Sequence, residues 1–127
     1  MIVKYETAKI LRSKGYEEIP RYGQEASLYK AGQHTYYSNY GFLSSPEGYI
    51  AAPTQDQTAK WLREEYGIWV EVTVWEPNES NVPFVQVMLK ELKKDGLYGT
   101  SIDGRHTNYE EALEAGILTA LALIKNV

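Results

Sequence analysis

The densest gathering of chemically competent side chains is Asp103-Gly104-Arg105-His106, which sets a carboxylate, a guanidinium and an imidazole in one turn. Such groups serve acid–base catalysis when they meet in a cleft that perturbs their pKa values. A turn leading into a capped helix accounts for the same residues without chemistry, so no catalytic residue is assigned. An enzyme centred on Asp103, Arg105 and His106 is the least favoured of three functional readings. His34 and His106 are the only histidines and have no partners at metal-ligand spacing, so no metal site is expected. The chain has no cysteine, which excludes disulfides, thiolate catalysis and cysteine-bound zinc. No phosphate-cradling glycine loop, nucleophile elbow or HExxH pattern occurs, and no cofactor is expected.

Aromatic side chains offer a second kind of chemistry, that of binding. Six of the eleven tyrosines, at 22, 29, 36, 37, 40 and 49, fall between Arg21 and Ile50. Tyr36, Tyr37 and Tyr40 stand among Gly, Ser and Asn residues, the mixture of rigid aromatic and adaptable polar groups found in binding loops. Trp69 and Trp75 occupy alternate positions of a strand and share its outward face, next to Phe84 and Met88 of the following strand. Either residues 17–50 or the first helix cover that face and make it core, or it is open to a partner, as large apolar patches on monomers often are. Trp69, Trp75, Tyr36, Tyr37 and Tyr40 are therefore the candidate partner-binding residues.

A chain of 127 residues can bury a core as one domain, 1–127. Apolar residues at 43% and charged residues at 24% are ordinary for a globular protein, which argues against disorder of the whole chain. No stretch approaches the roughly 20 apolar residues that span a bilayer, and Lys4 and Glu6 interrupt any signal-like run. A cytoplasmic location without membrane contact is the expectation. Residues 1–50 carry a net charge of +1 and residues 51–127 one of −5. The acidic second half disfavours a large phosphate-binding surface there.

The elements that would position these residues follow from periodicity. Residues 4–14 read as a helix with Tyr5, Ala8 and Leu11 on one face and Lys4, Lys9, Arg12 and Lys14 basic; Gly15 caps it and Tyr16 folds back. Gln24–Lys30 suggests a helical turn or two, and His34–Tyr40 a short strand. Thr58, Trp61, Leu62 and Tyr66 mark one face of a helix over 54–66, which stops at Gly67. Ile68, Val70, Val72 and Val74 alternate with Trp69, Glu71, Thr73 and Trp75. Further strands follow from Phe84 to about Leu92 and over Leu97–Ile102, joined at Lys93-Lys94-Asp95-Gly96. Thr107-Asn108-Tyr109-Glu110 has capping-box spacing, and from Tyr109 an apolar face runs through Ile124. Ala115, Leu118, Ala122 and Leu123 add apolar surface beyond that face, so this helix is expected to be buried on two sides or to self-associate. The sum is an α+β fold: an antiparallel sheet of three or more strands (meander 68–102), helices at about 54–66 and 108–125 packed on its Ile/Val face, and an N-terminal helix 4–14.

Ala52-Pro53-Thr54, Lys60-Trp61-Leu62-Arg63, Gly67-Ile68 and Tyr109-Glu110-Glu111-Ala112-Leu113-Glu114-Ala115 resemble the recurring marks of a family of small, uncharacterised phage and prophage proteins. The resemblance covers about residues 51–125. It implies a mobile-element context and no particular activity. The order helix–strand–strand–strand–helix also matches double-stranded-RNA-binding domains, whose last helix opens on basic residues. Here Glu110 and Glu111 stand there and would repel phosphate. The leading expectation is a non-enzymatic module that binds a protein partner, or itself, through aromatic surface. A nucleic-acid-binding regulator using the basic first helix is the alternative.

Overall fold

The computed structural model describes residues 1–16, 24–38, 48–75, 84–93, 96–101, 106 and 108–124. The fold is α+β, and the chain forms two compact units, residues 2–54 and Met1 with residues 55–127.

In the first unit α1 (Tyr5–Ser13) buries Thr7, Ala8 and Leu11. It ends as its sequence dictates. Gly15 takes φ +95°, its amide donates to Arg12 O and the Tyr16 amide donates to Leu11 O. This pair of bonds satisfies carbonyls the helix leaves open and turns Tyr16 back into the core.

Three antiparallel strands follow: β1 (Glu25–Lys30), β2 (Gln33–Ser38) and β3 (Tyr49–Ala51), in the order β2-β1-β3. The expectation of helical turns over Gln24–Lys30 is corrected here, because Glu25–Lys30 is the central strand. Ala26 and Leu28 are buried while Ser27 and Tyr29 are only half-buried, an alternation of period two. Six residues are too few for local pattern to separate strand from helix; pairing on both sides decides it. The short strand expected from His34 does form, as β2, and residues 39 and 40 lie outside the described part.

Ala31 and Gly32 form the two-residue turn between β1 and β2, with φ +50° and +79°. Two positive φ values match a type I′ turn, whose twist suits flanking strands. Alanine tolerates this conformation poorly, whereas asparagine visits it readily. Ala31→Asn is expected to stabilise the chain by roughly 1 kcal/mol, read as a higher denaturation midpoint at unchanged slope.

In the second unit α2 (Gln55–Tyr66) leads through Gly67, at φ +65°, into β4 (Ile68–Trp75), β5 (Phe84–Lys93) and β6 (Gly96–Ser101), then α3 (Tyr109–Leu123). The three strands form the expected antiparallel meander, order β4-β5-β6. Lys93 pairs with Gly96 at the expected turn, and Val70 and Val72 pair with Leu89 and Val87. Val87 and Ala112 are fully buried, with Val70 and Val72 packed against them. α3 thus packs on the Ile/Val face, while α2 packs against β4 and α3.

Three details of the helices differ from expectation. Asn108 caps α3, its Oδ1 accepting from the Glu111 amide at 3.1 Å, whereas Thr107 of the expected capping box lies outside the described residues. Both residues precede a glutamate by three, so spacing alone cannot choose between them. Tyr109 is exposed in the first turn, and Leu118, Ala122 and Leu123 face outward, so the helix is buried on one side within its unit. Tyr66 is exposed at the end of α2 and sets its ring edge-on to buried Trp61, centroids 5.2 Å apart.

Candidate interaction surface

The β1–β2 hairpin carries the strongest concentration of exposed aromatic and hydrogen-bonding groups among the described residues. Its register fixes where each group points. In a two-residue hairpin the flanking pair, Lys30 and Gln33, exchanges both backbone bonds, and alternate pairs repeat the pattern. Leu28–Thr35 and Ala26–Tyr37 are then the bonded pairs. Ser27 confirms the phase from the other side, since its carbonyl accepts from the Ala52 amide at 2.9 Å and so faces away from β2. The backbone groups of His34, Tyr36 and Ser38 consequently point out from the sheet edge.

One face of the hairpin holds a row of rings. Tyr5 meets Tyr29 at 5.3 Å, Tyr29 meets His34 at 5.8 Å, and His34 meets Tyr36 at 4.8 Å, all near-perpendicular edge contacts. Edge-to-face geometry aligns the positive rim of one ring with the negative face of the next. Hydrogen bonds pin the row: Tyr29 Oη donates to Val3 O at 2.7 Å, and His34 Nε2 lies 2.7 Å from Ser27 Oγ. Ser27 Oγ also donates to Ala52 O at 2.7 Å. A hydroxyl has one proton, so Ser27 accepts from a protonated His34 Nε2. The distance resembles a nucleophile–base pair, but the polarity is reversed. This imidazole anchors the serine and does not activate it.

The opposite face brings Tyr37 and Tyr49 to 5.4 Å and sets Lys30 Nζ over the Tyr49 ring at 5.1 Å. On α1, Lys9 Nζ lies 2.9 Å from Glu6 Oε2 and 5.0 Å over the Tyr5 ring. The hydrogen bond to Glu6 raises the Lys9 pKa above its ordinary value. Arg12 Nη1 donates to Tyr49 O at 2.8 Å. Lys9 and Arg12 of the expected basic face are therefore engaged inside their own unit.

The sequence-predicted residues fare unequally. Tyr36 is 61% exposed and Tyr37 44%, and strand alternation puts them on opposite faces of β2. Tyr40 lies outside the described residues. Trp69 is half-buried on β4, paired with Lys90, on the sheet face opposite the Ile/Val row. That face also carries the Glu71–Lys90 ion pair at 3.0 Å. Trp75 ends β4, and its side chain lies outside the described part, as do Asp103 and Arg105. His106 is half-buried. Among the described residues no three acidic or histidine side chains gather as a metal site, and no helix is long and apolar enough to cross a membrane.

Sequence reasoning does not reveal Ser27, Tyr29 and Tyr5 as neighbours of the candidate residues, and for His34 it finds only that partners at metal-ligand spacing are absent. The available signal was Ala31-Gly32 midway between two polar–aromatic runs, which reads as a hairpin once β1 is taken for a strand. No family model, curated protein or solved structure matches the chain.

Proposed function

We propose that the chain is a protein-interaction module encoded by a mobile genetic element, acting in the cytoplasm through the tyrosine-bearing β1–β2 hairpin. The observation that carries this reading is the 61% exposure of Tyr36 on an edge strand, backed by a pinned row of rings. A rigid aromatic offers large contact area with few rotamers to freeze, which is why tyrosine recurs among residues that dominate binding energy. The mobile-element context rests on the motif resemblance over 51–125. Nucleic-acid binding through α1 is disfavoured by the engagement of Lys9 with Glu6 and of Arg12 with Tyr49.

The test is affinity capture from a host lysate with the intact chain and with Tyr36→Ser and Tyr37→Ser. Serine keeps polarity and removes the ring at exposed positions, so folding is expected to survive. Recovery of the specifically captured protein should fall about tenfold or more for Tyr36→Ser. Equal recovery by all three chains would refute the hairpin as the surface.

A further inference from the structure

The two edges of the β2-β1-β3 sheet are treated differently. β3 is three residues long, and Arg12 of α1 donates to its Tyr49 carbonyl at 2.8 Å, so side-chain cover already occupies that edge. β2 has six residues, Gln33-His34-Thr35-Tyr36-Tyr37-Ser38, and none is lysine, arginine, aspartate, glutamate or proline. Its register with β1 runs one to one from Glu25–Ser38 to Lys30–Gln33, without a bulge. Charges, prolines, bulges and short length are devices within a strand that keep its edge from pairing with other chains. β2 has none of them, and its residues are largely β-branched, aromatic or small and polar.

We infer that β2 pairs antiparallel with β2 of a second copy of this chain, about a two-fold axis, to give a continuous six-stranded sheet with β2 strands at its centre. The inference rests on the reading of this hairpin as the interaction surface and names its partner. Parity restricts the register. The outward backbone groups belong to His34, Tyr36 and Ser38, and antiparallel bonding joins outward residues to outward residues. The two-fold arrangement that uses all three is centred on Tyr36: Tyr36 faces its own symmetry mate, and His34 faces Ser38 of the other copy. Thr35 then lies opposite Tyr37, a β-branched and aromatic pair of the favourable cross-strand kind. Because β2 carries no charged side chain, this self-pairing brings no like charges together. The row Tyr5–Tyr29–His34–Tyr36 ends at the axis and continues into its copy. A five-residue strand pairing falls below the roughly 1,200 Å² of standard interfaces, so the dimer is expected to be micromolar or weaker.

Sedimentation of the full chain over about 1–500 μM should show a monomer–dimer equilibrium. Tyr36→Lys and Tyr36→Glu each place like charges at the axis and should weaken dimerisation tenfold or more, while an equimolar mixture of the two should recover it. Backbone amide exchange gives a measurement that needs no variant, with the His34 and Tyr36 amides becoming protected as concentration rises. A chain that stays monomeric throughout, or a dimer indifferent to both substitutions, would overturn the inference; the second result would move the contact elsewhere, for example to Leu118 and Leu123 of α3. A monomeric chain whose partner capture still depends on Tyr36 would overturn self-pairing while leaving the interaction reading intact. Monomeric behaviour with capture indifferent to Tyr36 would remove both.

Discussion

Gly116→Leu is expected to abolish the native packing of residues 55–127, and even Gly116→Ala to cost about 1 kcal/mol net. A Cβ built on Gly116 would stand 2.6 Å from Val70 Cγ1 and 2.6 Å from Val87 Cγ1. Both neighbours are β-branched side chains with restricted χ1, one of them fully buried, so neither can swing away at low cost. Overpacking of this kind costs about 1–3 kcal/mol. Alanine in a helix interior is favoured over glycine by about 1 kcal/mol, which offsets part of that cost for the smallest substitution and far less than all of it for leucine. Denaturant unfolding of Gly116→Ala checks the sign. Val87→Ala should be markedly less harmful in the Gly116→Ala background than in the original chain, because it removes a methyl that the new Cβ strikes. A Gly116→Ala variant more stable than the parent would show that α3 does not approach β4 and β5 so closely.

The second large effect is expected at Gln55, a buried residue at the start of α2. Its Nε2 donates to Glu114 Oε2 at 2.9 Å and to Glu110 O at 2.9 Å, and Glu114 is itself only 3% exposed. A carboxylate on the packed side of a helix needs donors, and Gln55 reaches it across from α2. Gln55→Leu removes that donor while leaving the carboxylate in place, and is expected to destabilise the chain by about 1–3 kcal/mol. Glu114→Leu alone should cost less, since the Gln55 amide keeps the Glu110 carbonyl. Replacing both by leucine should recover much of the loss, because buried polar pairs often exchange for apolar ones at little net cost. Thermal or denaturant unfolding of the three variants closes the cycle; an additive pair would mean that Gln55 and Glu114 do not stabilise each other.

These two sites mark the limit of pattern reading. The α3 stripe through Ala112, Leu113, Gly116, Ile117, Ala120 and Leu121 is legible because helical period and burial coincide over roughly three turns. Glu114 is not legible as a buried residue. Its type argues for solvent, and early helical carboxylates have a ready explanation in the helix dipole. The approach of Gln55 from 59 residues away supplies its carboxylate with a buried donor, and no local pattern shows this. Gly116 reads from sequence as one more small residue on the stripe, and only the 2.6 Å clearances show that nothing larger fits.

The candidate surface was legible in part. Tyr36 and Tyr37 stand out by type and neighbourhood, and both are exposed. Their division between two faces, and the partnership of His34 with Ser27 and Tyr29, depend on a register that no local window contains.

By itself the sequence determined the elements whose signals are local and long: the helix stopped by Gly15, the helix turned into a strand by Gly67, the alternating Ile68–Trp75 strand and the apolar face of the last helix. Periodicity and left-handed glycines act within a few residues of themselves, so they survive without tertiary context. Tertiary structure decided what short segments become and which groups meet. Glu25–Lys30 is a strand because β2 and β3 flank it, and the contacts of His34 with Ser27 and Tyr29 arise only from that pairing. Strand identity and edge exposure are properties of neighbours distant in the chain, and no residue carries them alone.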